Sequence, residues 1–415
     1  MNQSRSLLTS IGLIVVLGVI VGLVWGNHQF AEKNVYGEGF FIQWTAINSM
    51  VSNGDSPFSS PVTELLREVV GSQDGFAEGA PARYLSPLYS GIIVLPFALI
   101  GNYLLAFALW RTAQLIAFFV ILLIGLKITG WRPAWYIFLL FSFINLISYH
   151  ILAAWLDGGL FIWAALFLAL AFLAIRNHWN EVGGVFLALA AVQPQMTILV
   201  VVFTLIWAGS KRRRTLILWF VMTLVLLSIL GSFLVSDWIV QYLRLVFNFS
   251  ENFPPGTPRA LFSQLWPGLG NQLGWLMSAV LGVILILEIW LALRKDFRHF
   301  LWTACLVMVI SQWIGIPSVP GNYSALILPL ILISAMLAER WNRGGQWAAV
   351  LLSLIVFTWE WALFYIDITG SHPGTQLNLL LPLPLVLLVG LYWVRWWAIK
   401  PKGMLLEELR LAETN

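Results

Sequence analysis

The sequence predicts an all-α polytopic membrane protein, and three observations carry that prediction. Mean hydropathy is +0.84 over 415 residues. Apolar runs on the order of 20 residues, the length a helix needs to cross a bilayer, recur almost to the end of the chain. Many of the 23 Trp stand near the ends of those runs, as Trp25, Trp131, Trp207, Trp238, Trp266 and the Trp396/Trp397 pair do, matching the aromatic belts of a membrane interface. A soluble globular domain is excluded by this composition. A barrel is excluded because the runs are continuous rather than alternating, whereas helices satisfy their backbone amides internally in lipid.

The first run, Leu7 to Trp25, follows Arg5 and reads as an uncleaved anchor (residues 1–26) with the N-terminus inside, since Gly26 to Phe30 lacks a small-residue cleavage pattern. A polar segment from His28 to about Ser86 follows. It holds more than a third of the acids, Glu32, Glu38, Asp55, Glu64, Glu68, Asp74 and Glu78, so residues 27–101 are expected to form a large first extracytoplasmic loop. Within it, Thr63 to Val70 has Leu65, Leu66, Val69 and Val70 opposed to Glu64, Arg67 and Glu68, the pattern of a short amphipathic helix on the membrane surface. Pro87 to Ile100 is too short to cross easily and is expected to lie along or dip into the outer leaflet.

The bundle is assigned to residues 102–398. Its spans are expected at Asn102 to Lys127, Ala134 to Ile151, Gly159 to Ile175, Val182 to Ala208, Thr215 to Val235, Leu269 to Leu293, Phe300 to Ile316, Tyr323 to Leu337, Gln346 to Ile366 and Leu377 to Val394. Residues 399–415 form a tail on the inside. This orientation puts 17 of the 23 basic residues inside and five outside, leaving Arg111 within a span, as the excess of Lys and Arg in cytoplasmic loops requires. It also requires Val182 to Ala208 to be a hairpin broken near Gln193-Pro194-Gln195, which brings the count to about twelve membrane helices in one module. A rival topology lets Pro87 to Ile100 cross and makes Val182 to Ala208 one kinked span, at the cost of placing Lys127, Arg132 and Arg176 outside.

The single Cys305 lies inside an apolar run, so neither an intramolecular disulfide nor a cysteine metal cluster can form. The net charge of +4 is spread over short loops and makes no nucleic-acid groove. No His pair has ligand spacing; metal is unsupported and no cofactor is implied.

In this topology the outer face gathers Glu38, Asp55, Arg83, Tyr84, His150, Asp157, Gln193, Gln195, Arg259, Asn322, Asp367 and His372, polar groups that converge on the rim of an apolar bundle. Glu38 stands between Gly37 and Gly39, which let the chain turn sharply, and reads either as a general base or as a solvated loop acid. Asp55 lies in Asn53-Gly54-Asp55-Ser56-Pro57, where its side chain suits a turn. Arg111 sits inside a span, an insertion cost of roughly 2.5–3.5 kcal/mol. Gln114 shares its face. The pair reads equally as a phosphate or carbonyl ligand and as part of a structural ion pair. Glu288 and Glu360 are candidate partners or proton-relay groups, although Glu360, between Trp359 and Trp361, also suits a bond to backbone of a neighbouring helix. Ser250 to Arg259 is a Pro/Gly-rich loop, a lid or a connector.

These features together resemble the integral-membrane glycosyltransferases of the GT-C type, and most closely glycosyltransferase family 87, the polyprenyl-phosphate-mannose-type transferases. The residues that carry the resemblance are the acid motif after the first span, the stretch Trp44 to Phe58, Arg83-Tyr84, Pro87-Leu88-Tyr89, Pro96, Ala108-Leu109-Trp110 and the Gln193-Pro194-Gln195 break. Two departures stand out: the family's usual Asp before the Phe of its first motif is here Gly39, and its Lys before Pro is Gln193. The resemblance implies a GT-C-like bundle and an enzyme of the plasma (inner) membrane with both termini cytoplasmic. It implies inverting transfer of a sugar from a polyprenyl-phosphate donor to a lipid or glycan acceptor on the outer side. Glu38 is then the base with Asp157 as second choice, Arg83 or Arg111 steadies the leaving phosphate, and Tyr84, Gln114, His150, Gln193, Gln195 and Arg259 are substrate contacts. The competing class is a transporter or flippase, whose pathway Arg111, Glu288 and Glu360 would line.

Overall fold

The computed structural model describes residues 2–33, 37–72, 83–252, 257–314, 319–369, 379–380 and 382–400. Asp74, Glu78, His372, the centre of the Ser250 to Arg259 loop and the tail beyond 400 lie outside the described residues. In chain order the helices are α1 (Asn2–Lys33), α2 (Glu38–Asn53), α3 (Ser60–Ser72), α4 (Gly91–Ala98), α5 (Tyr103–Thr129), α6 (Trp135–Leu146), α7 (Tyr149–Asp157), α8 (Phe161–Arg176) and α9 (Asn180–Ala190). They continue as α10 (Pro194–Ser210), α11 (Arg214–Leu234), α12 (Trp238–Asn252), α13 (Pro258–Leu265), α14 (Gly270–Ala292), α15 (Phe297–Ser311), α16 (Ile327–Thr369) and α17 (Pro382–Ile399), with 3-10 turns at Leu88–Ser90 and Pro320–Leu326.

Among the described residues five helical runs are long and apolar enough to cross a membrane: α5, α11, α14, Pro320–Ile366 and α17. Counting the bent pair α6 and α7 as one span makes six, so the expected dozen is not reached by this measure. Of the other expected spans, those at α8, α9, α10 and α15 are shorter apolar helices. The chain is therefore a multi-pass helical membrane protein.

The chain falls into two compact units, one made of Met1–Ala117, Trp155–Leu160 and Leu230–Arg244, the other of Phe118–Ala154, Phe161–Ile229 and Leu245–Asn415. In the first unit the polar segment is largely helical. α1 continues past Trp25 to Lys33, and α2 begins at Glu38. α2 buries Phe40, Gln43, Ala46 and Ile47, spaced three and four apart, so a segment read as a turn-rich loop has one helical face with a core to meet. It ends at Gly54, whose φ of 78° makes a left-handed cap with its N–H on the Met50 carbonyl. Asp55 then accepts from Ser49 Oγ at 2.9 Å, a side-chain bond back onto α2.

α4 is held by α2. Trp44 Nε1 donates to the Phe97 carbonyl at 3.2 Å and Asn48 Nδ2 to that of Ala98 at 2.7 Å, satisfying acceptors that a helix end leaves unpaired. α3 has the expected amphipathic character; among its described side chains Val62 and Leu66 are buried and Leu65 is exposed.

In the second unit, α15 is buried on all sides from His299 to Ser311, Cys305 included, and packs against α10, α14, α16 and α17. The expected break at Gln193-Pro194-Gln195 is present: α9 stops at Ala190, and α10 starts with Pro194 in its first turn, where a missing N–H costs nothing. One expectation is corrected. Ala134 to Ile151 is not one straight span, because α6 and α7 meet at 62°. Trp361 Nε1 donates to the Ile147 carbonyl at 3.0 Å and Glu360 Oε2 accepts from the Tyr149 N–H at 3.0 Å, so α16 caps both sides of the joint. The two spans expected from Tyr323 and from Gln346 are present as two helices within the α16 range, which part at Asn342, where the backbone is non-helical (φ 51°, ψ −119°). Glu288, the other internal acid, pairs with Arg395 at 2.9 Å.

Candidate functional site

The first unit brings together the residues with chemistry. α7 ends at Asp157, and the Asp157-Gly158-Gly159 sequence turns there; Gly158 has φ 70°, a left-handed conformation in which a Cβ would also press on Phe40. Three side chains of α5 grip this turn. Arg111 Nη2 donates to the Leu156 carbonyl at 3.2 Å, Trp110 Nε1 to Gly158 at 2.6 Å and Gln114 Nε2 to Gly159 at 2.8 Å. Trp155 Nε1 returns a bond to the Arg111 carbonyl at 3.1 Å.

The turn presents the Asp157 carboxylate to the start of α2. Oδ1 accepts from the Gly39 N–H at 3.1 Å and Oδ2 from the Gly159 N–H at 3.0 Å. Both amides belong to glycines, and both oxygens are thereby fixed. Glu38, one residue before Gly39, opens α2 with its side chain half-buried. Its negative charge is favoured by the helix N-terminus. Burial, and secondarily the Asp157 charge, nevertheless hold the Glu38 carboxyl above the ordinary glutamate range. Gly37, with φ 125°, supplies the sharp entry the sequence suggested, in a space where a Cβ would meet the Phe107 ring.

An aromatic stack braces the arrangement. Phe40 lies 5.5 Å from Phe107 and 5.0 Å from Trp110, and Tyr103 lies 5.6 Å from Phe107. Arg111 is 0% exposed, its guanidinium 4.2 Å from the Phe107 ring centroid, 4.9 Å from Trp155 and 5.0 Å from Phe30. Its bond goes to a carbonyl at the C-terminal end of α7, where a cation is favourable. Nε and Nη1 have no hydrogen-bond partner; in the second unit Glu288 pairs with Arg395 and Glu360 accepts from the Tyr149 N–H.

Of the remaining predicted residues, Arg83 and Tyr84 also belong to the first unit. Arg83 is half-exposed. Tyr84 is buried, its hydroxyl 3.0 Å from Ser90 Oγ and its ring 5.3 Å from Phe58, and burial raises the phenol above its usual range. His150, Gln193, Gln195 and Arg259 belong to the second unit. His150 Nε2 lies 3.5 Å from Glu360 Oε1 and its ring stacks on Tyr323 at 4.5 Å. A small cavity beside this pair is lined by Asn145, Ser148, Tyr323, Ser353 and Glu360 among apolar side chains. Gln193 precedes α10, buried, with its carbonyl accepting from Thr197 Oγ1 at 3.0 Å; Gln195 is half-buried. Arg259 is exposed on α13, 5.9 Å above the Trp275 ring.

The sequence reading missed Gly39, Trp110 and the two glycines after Asp157 as site residues; the Asp-Gly-Gly sequence was an available turn signal. No group of three or more His, Cys, Asp or Glu that could hold a metal occurs among the described residues. A half-buried carboxylate beside a fixed one can accept a proton from a hydroxyl and direct its oxygen toward an electrophile.

Residues 84–315, more than half of the chain, match glycosyltransferase family 87. The matched stretch contains Arg111, Gln114, His150 and Asp157 and begins after Glu38. A comparison with curated proteins finds no match.

Proposed function

The chain belongs to glycosyltransferase family 87 and is a membrane glycosyltransferase, and from that premise we propose that it transfers a sugar from a polyprenyl-phosphate donor to a hydroxyl of a lipid or glycan acceptor. In this reading Glu38 takes the acceptor proton as the acceptor oxygen bonds to the anomeric carbon. The bond from that carbon to the phosphate oxygen breaks, and its electron pair leaves with the polyprenyl phosphate. A single displacement inverts the anomeric centre. Base catalysis of this kind contributes about 10²–10⁴ in rate.

The observation that carries the assignment is the contrast between the two carboxylates. Asp157 has both oxygens engaged by backbone amides, whereas the half-buried Glu38 side chain retains access to a hydroxyl. Arg83, half-exposed, is assigned to the leaving phosphate in preference to Arg111, whose guanidinium lies under three rings and on the Leu156 carbonyl. The positive-inside distribution supports an outward-facing site and cytoplasmic termini in a plasma membrane.

The test is turnover of labelled polyprenyl-phosphate-mannose and polyprenyl-phosphate-glucose by purified protein with a membrane-lipid acceptor mixture, beside nucleotide sugars. Label appearing in an acceptor of inverted configuration, with release of polyprenyl phosphate, is the expected result. Use of the nucleotide sugar alone, or solute counterflow in proteoliposomes without turnover of a lipid-linked donor, would contradict it.

A further inference from the structure

Position 39 and the side chain of residue 157 compete for one volume. A Cβ built on Gly39 would fall on the Asp157 carboxylate, meeting both oxygens and the carbon between them. At residue 39 the first turn of α2 therefore carries no side chain, and the space where one would start is filled from a turn 118 residues away in sequence. That turn is not loosely placed: the Leu156, Gly158 and Gly159 carbonyls are each held by α5, and Gly158 lacks the Cβ that would push it off Phe40.

We propose that Asp157 serves as the side chain position 39 lacks, a positioning residue whose carboxylate orients the first turn of α2 and sets the proton affinity of Glu38. This rests on the reading of Glu38 as the base. The charge facing Glu38 is that of Asp157, and on α5 Tyr103 faces both Asp157 and the Arg111 guanidinium. Removing the Asp157 charge takes away a repulsion that disfavours the Glu38 carboxylate, so the base deprotonates at lower pH.

The experiment compares pH profiles of kcat/KM for polyprenyl-phosphate-mannose with thermal unfolding of the same purified variants. Asp157→Asn keeps an acceptor for one of the two glycine N–H groups and sets its NH2 against the other, so it is expected to fold with a lowered unfolding temperature and with its acid limb moved to lower pH. Asp157→Ala loses the orientation as well, and activity falls about 10²-fold. Gly39→Asp alone forces two carboxylates into one volume and lowers the unfolding temperature. Gly39→Asp combined with Asp157→Ala restores a carboxylate to that volume from the other strand of chain, and is expected to recover activity and to return the acid limb toward the wild-type pH.

An unmoved acid limb in folded Asp157→Asn overturns the proposal, as does a folded double variant no more active than Asp157→Ala. If the double variant does not fold, the Asp157→Asn profile decides; if Asp157→Asn also fails to fold, the role is structural only and the proposal is wrong. Failure of the base reading shows separately, as retained activity in Glu38→Gln.

Discussion

The Gly39 N–H donates to Asp157 Oδ1 at 3.1 Å, joining the first turn of α2 to the turn after α7. The bond leaves no room at residue 39 for a methyl group. Gly39→Ala is expected to cost about 1–3 kcal/mol, the range for an overpacked site, and to lower transfer activity with it. Gly22→Ala, in α1 with nothing within 4 Å of the added carbon, is the control and is expected to unfold no lower than wild type. Thermal unfolding in detergent measures both.

The raised proton affinity of Glu38 has two signs to check. As a base it works only when deprotonated, so kcat/KM is expected to climb with pH through a value above the ordinary 4.5 of a glutamate. For stability, folding favours the protonated form, so the folded state loses stability as pH rises from the unfolded-state value through the higher folded-state value. Glu38→Gln is therefore expected to be no less stable than wild type at pH 7 and to show less dependence of unfolding temperature on pH.

Arg111 separates positioning from phosphate binding. Held by the Leu156 carbonyl and three rings, it is expected to act on kcat: Arg111→Lys cannot keep a planar group among the rings and should lower kcat with KM for the donor nearly unchanged. A rise in KM with kcat preserved would mark a direct contact with the donor.

The bent joint between α6 and α7 gives a stability prediction. Glu360→Ala leaves the Tyr149 N–H buried without its acceptor and is expected to cost about 1–3 kcal/mol, whereas Glu360→Gln retains an acceptor oxygen and should cost less. Trp361→Phe, which strands the Ile147 carbonyl, should fall between them in unfolding temperature.

What was legible in the sequence is what local pattern determines. Pro194 announces the start of α10, Asn53-Gly54 announces the end of α2, and the alternation of charge and apolar residues around Leu66 announces α3. Glu360 reads in the sequence both as a partner or proton-relay group and as an acid that bonds backbone of a neighbouring helix, and its bond from the Tyr149 N–H is of the second kind. The 62° bend was not legible, since Ile147 and Ser148 carry no Gly or Pro and the groups that hold the joint come from more than 200 residues away. The helical character of residues 38–53 was hidden by Gly39, by the flanking Gly37 and Gly54 and by the polarity of the surrounding segment, which obscured the face of Phe40 and Ile47. Arg111 reads in the sequence as a ligand of a phosphate or a carbonyl or as half of an ion pair; its partners are a carbonyl and three ring faces, a choice that sequence spacing cannot make.

The most direct measurement of the central claim is transfer of label from polyprenyl-phosphate-mannose by Glu38→Gln beside wild type, at matched unfolding temperature. A loss of about 10²-fold or more in kcat, in a variant that folds as the wild type does, is the predicted result. Full activity in Glu38→Gln would contradict it.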